Sequence, residues 1–153
     1  MRLQTSLLDR LVDDAPDLSR DPPMTRTQEM MAIRAGFCRD LEALLNTRRL
    51  CRTPPKDYTL LPTALPGYGV EDFVGAPLAT IGQRQQLADS VEQAIRAFEP
   101  RFTSVKVTLL KSRDRHERRQ SIRIEAVARL DHGPEPVVFE TALDPTSRLF
   151  EIE

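Results

Sequence analysis

Two stretches of the chain carry apolar residues at helical spacing, and everything after residue 102 changes to a period of two. From Arg84 onward, Leu87, Val91, Ala94, Ile95 and Phe98 recur every three or four positions and share one helical face. Arg84, Gln85, Asp89, Glu92, Gln93 and Arg96 fall on the opposite face. Pro100 stops this helix, because its ring disfavours the α conformation at Glu99 and it has no amide hydrogen to donate. Upstream, Met30, Ile33, Phe37, Leu41, Leu44 and Leu45 mark the buried face of an earlier helix. Thr25-x-x-Gln28 has the form of a capping box for its start, and Thr80-x-x-Gln83 the same form before the second helix. Gly36 lies inside the first helix and weakens it slightly. Arg48, Arg49 and Arg52 follow its C-terminal end, where the dipole favours cations.

The alternating part begins with Val105, Val107 and Leu109 set against Ser104, Lys106 and Thr108. Ile122, Ile124, Ala126, Ala128 and Leu130 form a second strand, and Val137, Phe139, Thr141 and Leu143 a third. Asp131-His132-Gly133-Pro134 reads as the turn between them. Leu149 to Ile152 reads as a short fourth strand. Helices first and then a meander give an α+β class: two main helices packed on a mostly antiparallel four-stranded sheet. Residues 1–24 form an N-terminal arm and 25–153 the domain. Within the arm, Leu3, Leu7, Leu8 and Leu11 sit at helical spacing ahead of an Asp- and Pro-rich linker. From Thr53 to Gly82 the chain is rich in Pro and Gly and shows no period. A loop of about 30 residues is unusual in a compact domain. Either it wraps the core through Tyr58, Leu60, Leu61, Tyr68 and Phe73, or it docks to a partner.

Composition narrows the function. A formal charge of −1 gives no general attraction to nucleic acid or to an anionic membrane. No apolar run approaches the roughly 18 residues that span a bilayer. Met1 to Arg20 is scattered with Asp and lacks an apolar signal core, so a cytoplasmic protein without direct membrane insertion is expected. Cys38 and Cys51 have no C-x-x-C spacing and read as thiols. His116 and His132 belong to no metal-ligand pattern, so neither a metal nor a cofactor is expected. No nucleophile elbow or phosphate loop is present. Residues 111–119 carry five cations, but Asp114 and Glu117 interrupt them and aromatics are lacking, which favours a solvated hairpin tip over a nucleic-acid site.

Several segments together resemble one family. They are Ser6-Leu7-Leu8-Asp9-Arg10-Leu11, Asp40-Leu41-Glu42-Ala43-Leu44-Leu45-Asn46-Thr47-Arg48-Arg49, Tyr68-Gly69-Val70-Glu71-Asp72-Phe73 and Ala94-Ile95-Arg96-Ala97-Phe98-Glu99-Pro100-Arg101. Their order and spacing are similar to those of the TssE family, the lysozyme-like baseplate wedge components of type VI secretion systems, related to wedge proteins of contractile phage tails. Glu99-Pro100-Arg101 matches the family's signature tripeptide. Val70-Glu71 stands where members more often have Leu-Pro. The resemblance implies a structural, non-enzymatic role. It implies contacts with the wedge proteins TssF, TssG and TssK, and a sheet edge on which sheath proteins TssB and TssC are laid.

Four groups of residues are candidates for partner binding. Glu99, Pro100 and Arg101 come first. A carboxylate at a helix C-terminus meets the negative end of the dipole, a cost of a few tenths to about 1 kcal/mol, and needs a cation nearby. One reading is a local Glu99–Arg101 pair; the other is that one or both point into a partner. Leu7, Leu8 and Leu11 either cover the domain's own core or reach a groove on a neighbour. Tyr68 and Phe73 represent the loop. Phe150 and Ile152 represent the C-terminal strand as an open edge. A peptidoglycan hydrolase would nominate Glu71, Asp72 and Glu99 as its acids, but the sequence offers no sign of a cleft for them. A small adaptor domain is the remaining alternative.

Overall fold

The computed structural model describes residues 9, 11–12, 16–17, 23–50, 57–72, 80–110, 120–130, 133–143 and 149–152. Two helices lie on one face of an antiparallel sheet of order β1-β2-β3-β4. They are α1 (Arg26–Leu45) and α2 (Ile81–Phe98), with β1 (Phe102–Leu109), β2 (Gln120–Leu130), β3 (Gly133–Leu143) and β4 (Phe150–Ile152). The α+β class and the meander therefore stand as the periodicity predicts.

Both capping boxes form. Thr25 Oγ1 accepts from Gln28 N–H while Gln28 Oε1 accepts from Thr25 N–H, and Thr80 and Gln83 do the same. The apolar stripes then bury against the sheet: Ile33, Phe37, Leu41, Leu44 and Leu45 from α1, and Leu87, Val91, Ala94 and Ile95 from α2. Met30 is only half-buried at the margin. Opposite them stand Val105 and Val107 of β1, the whole inward row of β2, and Phe139 of β3. Phe37, Phe102 and Phe139 meet at the centre, with ring centroids 4.8 Å apart for Phe37–Phe102 and 6.4 Å for Phe37–Phe139.

The sheet departs from the predicted plan in two places. Gly133 and Pro134 belong to β3 and not to the turn before it, opposite Leu130 and Arg129. Pro134 and Pro136 are tolerated within the strand because β4 covers β3 only from Thr141 to Leu143, so the rest of β3 borders no described strand. Between Phe102 and Ser104 the register with β2 shifts by one residue, a bulge immediately after the Glu99-Pro100-Arg101 corner.

The loop divides. Two short 3-10 turns, Leu61–Thr63 and Leu65–Gly67, lead into a segment pinned to the end of α1. Val70 N–H donates to Thr47 O at 3.0 Å and Arg49 N–H to Val70 O at 2.8 Å. Gly69 makes this possible. Its φ is 103°, and a Cβ there would lie 2.3 Å from Thr47 O. Val70, at the position where the family resemblance breaks, is buried in the core. Tyr58, Leu60 and Leu65 remain exposed, so among the described loop residues it is Gly67 to Val70 that packs against the domain.

Candidate functional site

The corner between α2 and β1 gathers charge from three parts of the chain. Glu99 caps α2, its N–H donating to Ile95 O at 2.9 Å while its own C=O accepts from Phe102 N–H at 3.2 Å. The Arg101 guanidinium folds back on it: Nε donates to Glu99 Oε1 at 2.6 Å, and Nη2 donates to Glu99 Oε2. Nη2 also donates to Asp40 Oδ2 at 2.7 Å, and the guanidinium lies 4.6 Å from the centre of the Phe37 ring. Burial pulls the Arg101 pKa down, but the hydrogen bonds and charges of Glu99 and then Asp40 outweigh it and hold the group above its usual value. The network runs on. Asp40 Oδ1 accepts from Arg39 Nη2 at 2.9 Å, and Arg39 Nη1 reaches Asp9 Oδ1 at 2.6 Å. Gly36 gives that arm residue its place: a Cβ there would stand 3.0 Å from Asp9 Oδ2.

Beside this network opens a cavity of about 360 Å³, lined by Asp40, Ala43 and Leu44 of α1, Tyr68 of the loop, and Phe98 to Arg101. Tyr68 stacks edge-on against Phe98 at 5.2 Å. Its pKa is raised by burial first and by the charges of Asp40 and Glu99 after that, so its hydroxyl stays a proton donor. The walls are mainly apolar, with charge along one side.

The candidate residues fare differently. Glu99 and Arg101 come together with Tyr68 around one cavity, and Pro100 is exposed at its rim. Leu11 is 73% exposed. Leu7, Leu8 and Phe73 lie outside the described residues, as do Cys51, His116, His132 and the arginine-rich tip. Phe150 is a buried core side chain, and Ile152 is half-buried on β4. Arg48 and Arg49, which the sequence assigns to the dipole of α1, lie past its end and pair with Asp72 and Glu71 instead. Those two acids are thus engaged away from the corner. Asp40, which supplies the second carboxylate on Arg101, stands out in the sequence only as part of the resembling segment. No periodicity marks it, since its partner is 61 residues away.

Comparison with known proteins places the chain in a family. The sequence profile described as "Baseplate wedge protein gp25" matches residues 32–134, a span that holds α1 from Ala32 on, the pinned loop, α2 and the corner itself. The chain belongs to the gp25 baseplate wedge family. Among solved structures, a chain from "The baseplate complex from the type VI secretion system" is similar, with 17% sequence identity and a TM-score of 0.53. The likeness covers 76% of this chain and 98% of that one, and at this identity it speaks for the fold. No curated protein matches. Among the described residues, no helix is long and apolar enough to cross a membrane, and no cluster of three or more His, Cys, Asp or Glu residues is arranged to hold a metal.

Proposed function

We propose that this chain is the wedge component of a cytoplasmic type VI secretion baseplate, docking to a TssF–TssG core in an assembly with TssK and offering its sheet to the first ring of TssB–TssC sheath. The observation that carries the docking half is the cavity at the corner. An open, mainly apolar hollow with a fixed arginine between two carboxylates on one wall suits an apolar anchor side chain flanked by polar contacts. Membership of the wedge family and a fold shared with a secretion-system baseplate chain support the same reading. Glycosidic chemistry gains no support from the geometry. It needs two carboxyl groups facing each other across a sugar, whereas Asp40 and Glu99 are bridged by one guanidinium.

Arg101→Ala is a poor test of docking, because the arginine also balances two carboxylates inside the fold. Ala43 is exposed on α1 at the cavity rim, and its methyl side chain has no polar atom to enter the charge network. Ala43→Gln fills the hollow from outside. The expected outcome is an unchanged melting temperature and a loss of co-purification with TssF–TssG of roughly tenfold or more. Wild-type recovery of the complex with Ala43→Gln sinks the corner as the docking site.

A further inference from the structure

The cavity at the corner opens where both helices end. Ala43 and Leu44 belong to the last turn of α1, and Phe98 closes α2. The negative ends of two helix dipoles thus border one hollow, and such ends favour cations. Neither helix supplies one to it. The last turn of α1 contains no basic residue. That of α2 contains Arg96, but its Nη2 donates to Val105 O of β1 at 2.8 Å and pairs with Glu92 at 2.8 Å, and neither partner lines the cavity. Glu92 in turn accepts from Val107 N–H at 3.0 Å. The carbonyls that end α2 are short of donors. Pro100 has no N–H for Arg96 O, Arg101 N–H is turned to Glu99 Oε1 at 3.4 Å, and Phe102 N–H to Glu99 O at 3.2 Å.

Side-chain charge adds to this bias. The lining carries two carboxylates, Asp40 and Glu99, against the single guanidinium of Arg101, which bonds to both. Arg39, outside the lining, divides its charge between Asp40 and Asp9. Both lining carboxylates are felt at the Tyr68 hydroxyl. The other walls, Ala43, Leu44, Tyr68 and Phe98, offer methyl groups and rings.

We propose that the side chain anchoring a partner in this cavity is cationic, a lysine or arginine, with its aliphatic stem against Ala43, Leu44 and Phe98 and its head among Tyr68, Asp40 and Glu99. This rests on the docking reading above and narrows its anchor: apolar along its length and charged at its tip. A purely aliphatic anchor would strip water from the carboxylates and helix-end carbonyls and return nothing to them. An anionic one would meet both dipoles and the excess carboxylate with the wrong sign. A cation gains from each of these and from the aromatic walls.

The test uses three probes with the same four-carbon chain: n-butylguanidinium, 1-butanol and pentanoate. Each is titrated into the full-length protein while the amide resonances of Ala43, Leu44, Tyr68 and Phe98 are followed by NMR. The cation is expected to shift them and to bind roughly tenfold more tightly than the alcohol, with pentanoate weaker still. Ala43→Gln should remove the shifts. Asp40→Asn, which lowers the negative charge with little change of shape, should erase most of the preference for the cation over the alcohol and weaken co-purification with TssF–TssG severalfold. Equal or tighter binding of 1-butanol or pentanoate by the wild type, or a cation that leaves these four amides unmoved, overturns the proposal. So does full docking by Asp40→Asn when Ala43→Gln has lost it, which keeps the corner as the docking site and removes the cationic anchor. Full docking by Ala43→Gln strikes the docking reading instead.

Discussion

Two glutamate–arginine pairs stand within ten residues of each other at the end of α2, and they differ in almost everything except composition. Glu92 and Arg96 are one helical turn apart, with side chains 24% and 59% exposed. Glu99 and Arg101 flank a proline, with side chains 9% and 16% exposed. The first pair is a common helical arrangement, glutamate N-terminal to arginine at i, i+4, worth a few tenths of a kcal/mol by itself. The second is a fork held by two carboxylates and an aromatic ring, where removing the cation strands buried negative charge. The same two residue types make an exposed cover over two backbone groups of β1 at one site and a fixed structural joint at the other, and solvent access is what separates them.

The largest effect that sharpens this contrast is on stability. Arg101→Ala should destabilise the protein by about 3–5 kcal/mol, read by denaturant unfolding, since the buried Glu99 carboxylate loses its cation while Asp40 keeps only Arg39. A loss below about 1 kcal/mol would mean that the corner is no more than a surface pair. Arg101→Lys keeps the charge and loses the fork, so it should recover only part of the deficit.

An intermediate effect comes from alkali. Burial and two neighbouring carboxylates raise the Tyr68 pKa in the folded state. Its neutral form is therefore favoured in the native protein, and its contribution is whole below the unfolded value of about 10 and fades as pH climbs through the folded one. Unfolding measured upward from pH 9 should show a fall in stability that Tyr68→Phe flattens. An identical alkaline limb in that variant removes Tyr68 from the corner's electrostatics.

The smallest effect belongs to the exposed pair. Arg96→Ala should cost under about 1 kcal/mol, and the cost should shrink further near 1 M salt, where screening acts within about 3 Å. A salt-independent loss comparable with that of Arg101→Ala would collapse the distinction between cover and joint.

The parts of this structure that were readable in the sequence are those whose cause lies within a few residues. Thr25/Gln28 and Thr80/Gln83 close their capping boxes over three positions. Phe37 and Leu41, or Val91 and Ile95, share a face because 3.6 residues make a turn. The alternation of Ile122, Ile124 and Ala126 follows from the pleat. The local Glu99–Arg101 pair was one of two readings open at the corner, and the geometry supplies it together with a cavity that the tripeptide did not announce. Arg48 and Arg49 follow the end of α1 as the sequence indicates, but their partners, Asp72 and Glu71, arrive only once Gly69 folds the loop back.

Periodicity and capping chemistry alone determined that this chain makes two amphipathic helices followed by a meander, because burying an apolar stripe requires only that the stripe exist. Tertiary structure decided which polar groups meet. Asp40 finds Arg101 across 61 residues, and Asn46 finds Phe150 across 104. No local spacing encodes such meetings. They follow from packing the helices onto the sheet, after which each buried charge or strand edge must be satisfied by whatever side chain the packing has brought within reach.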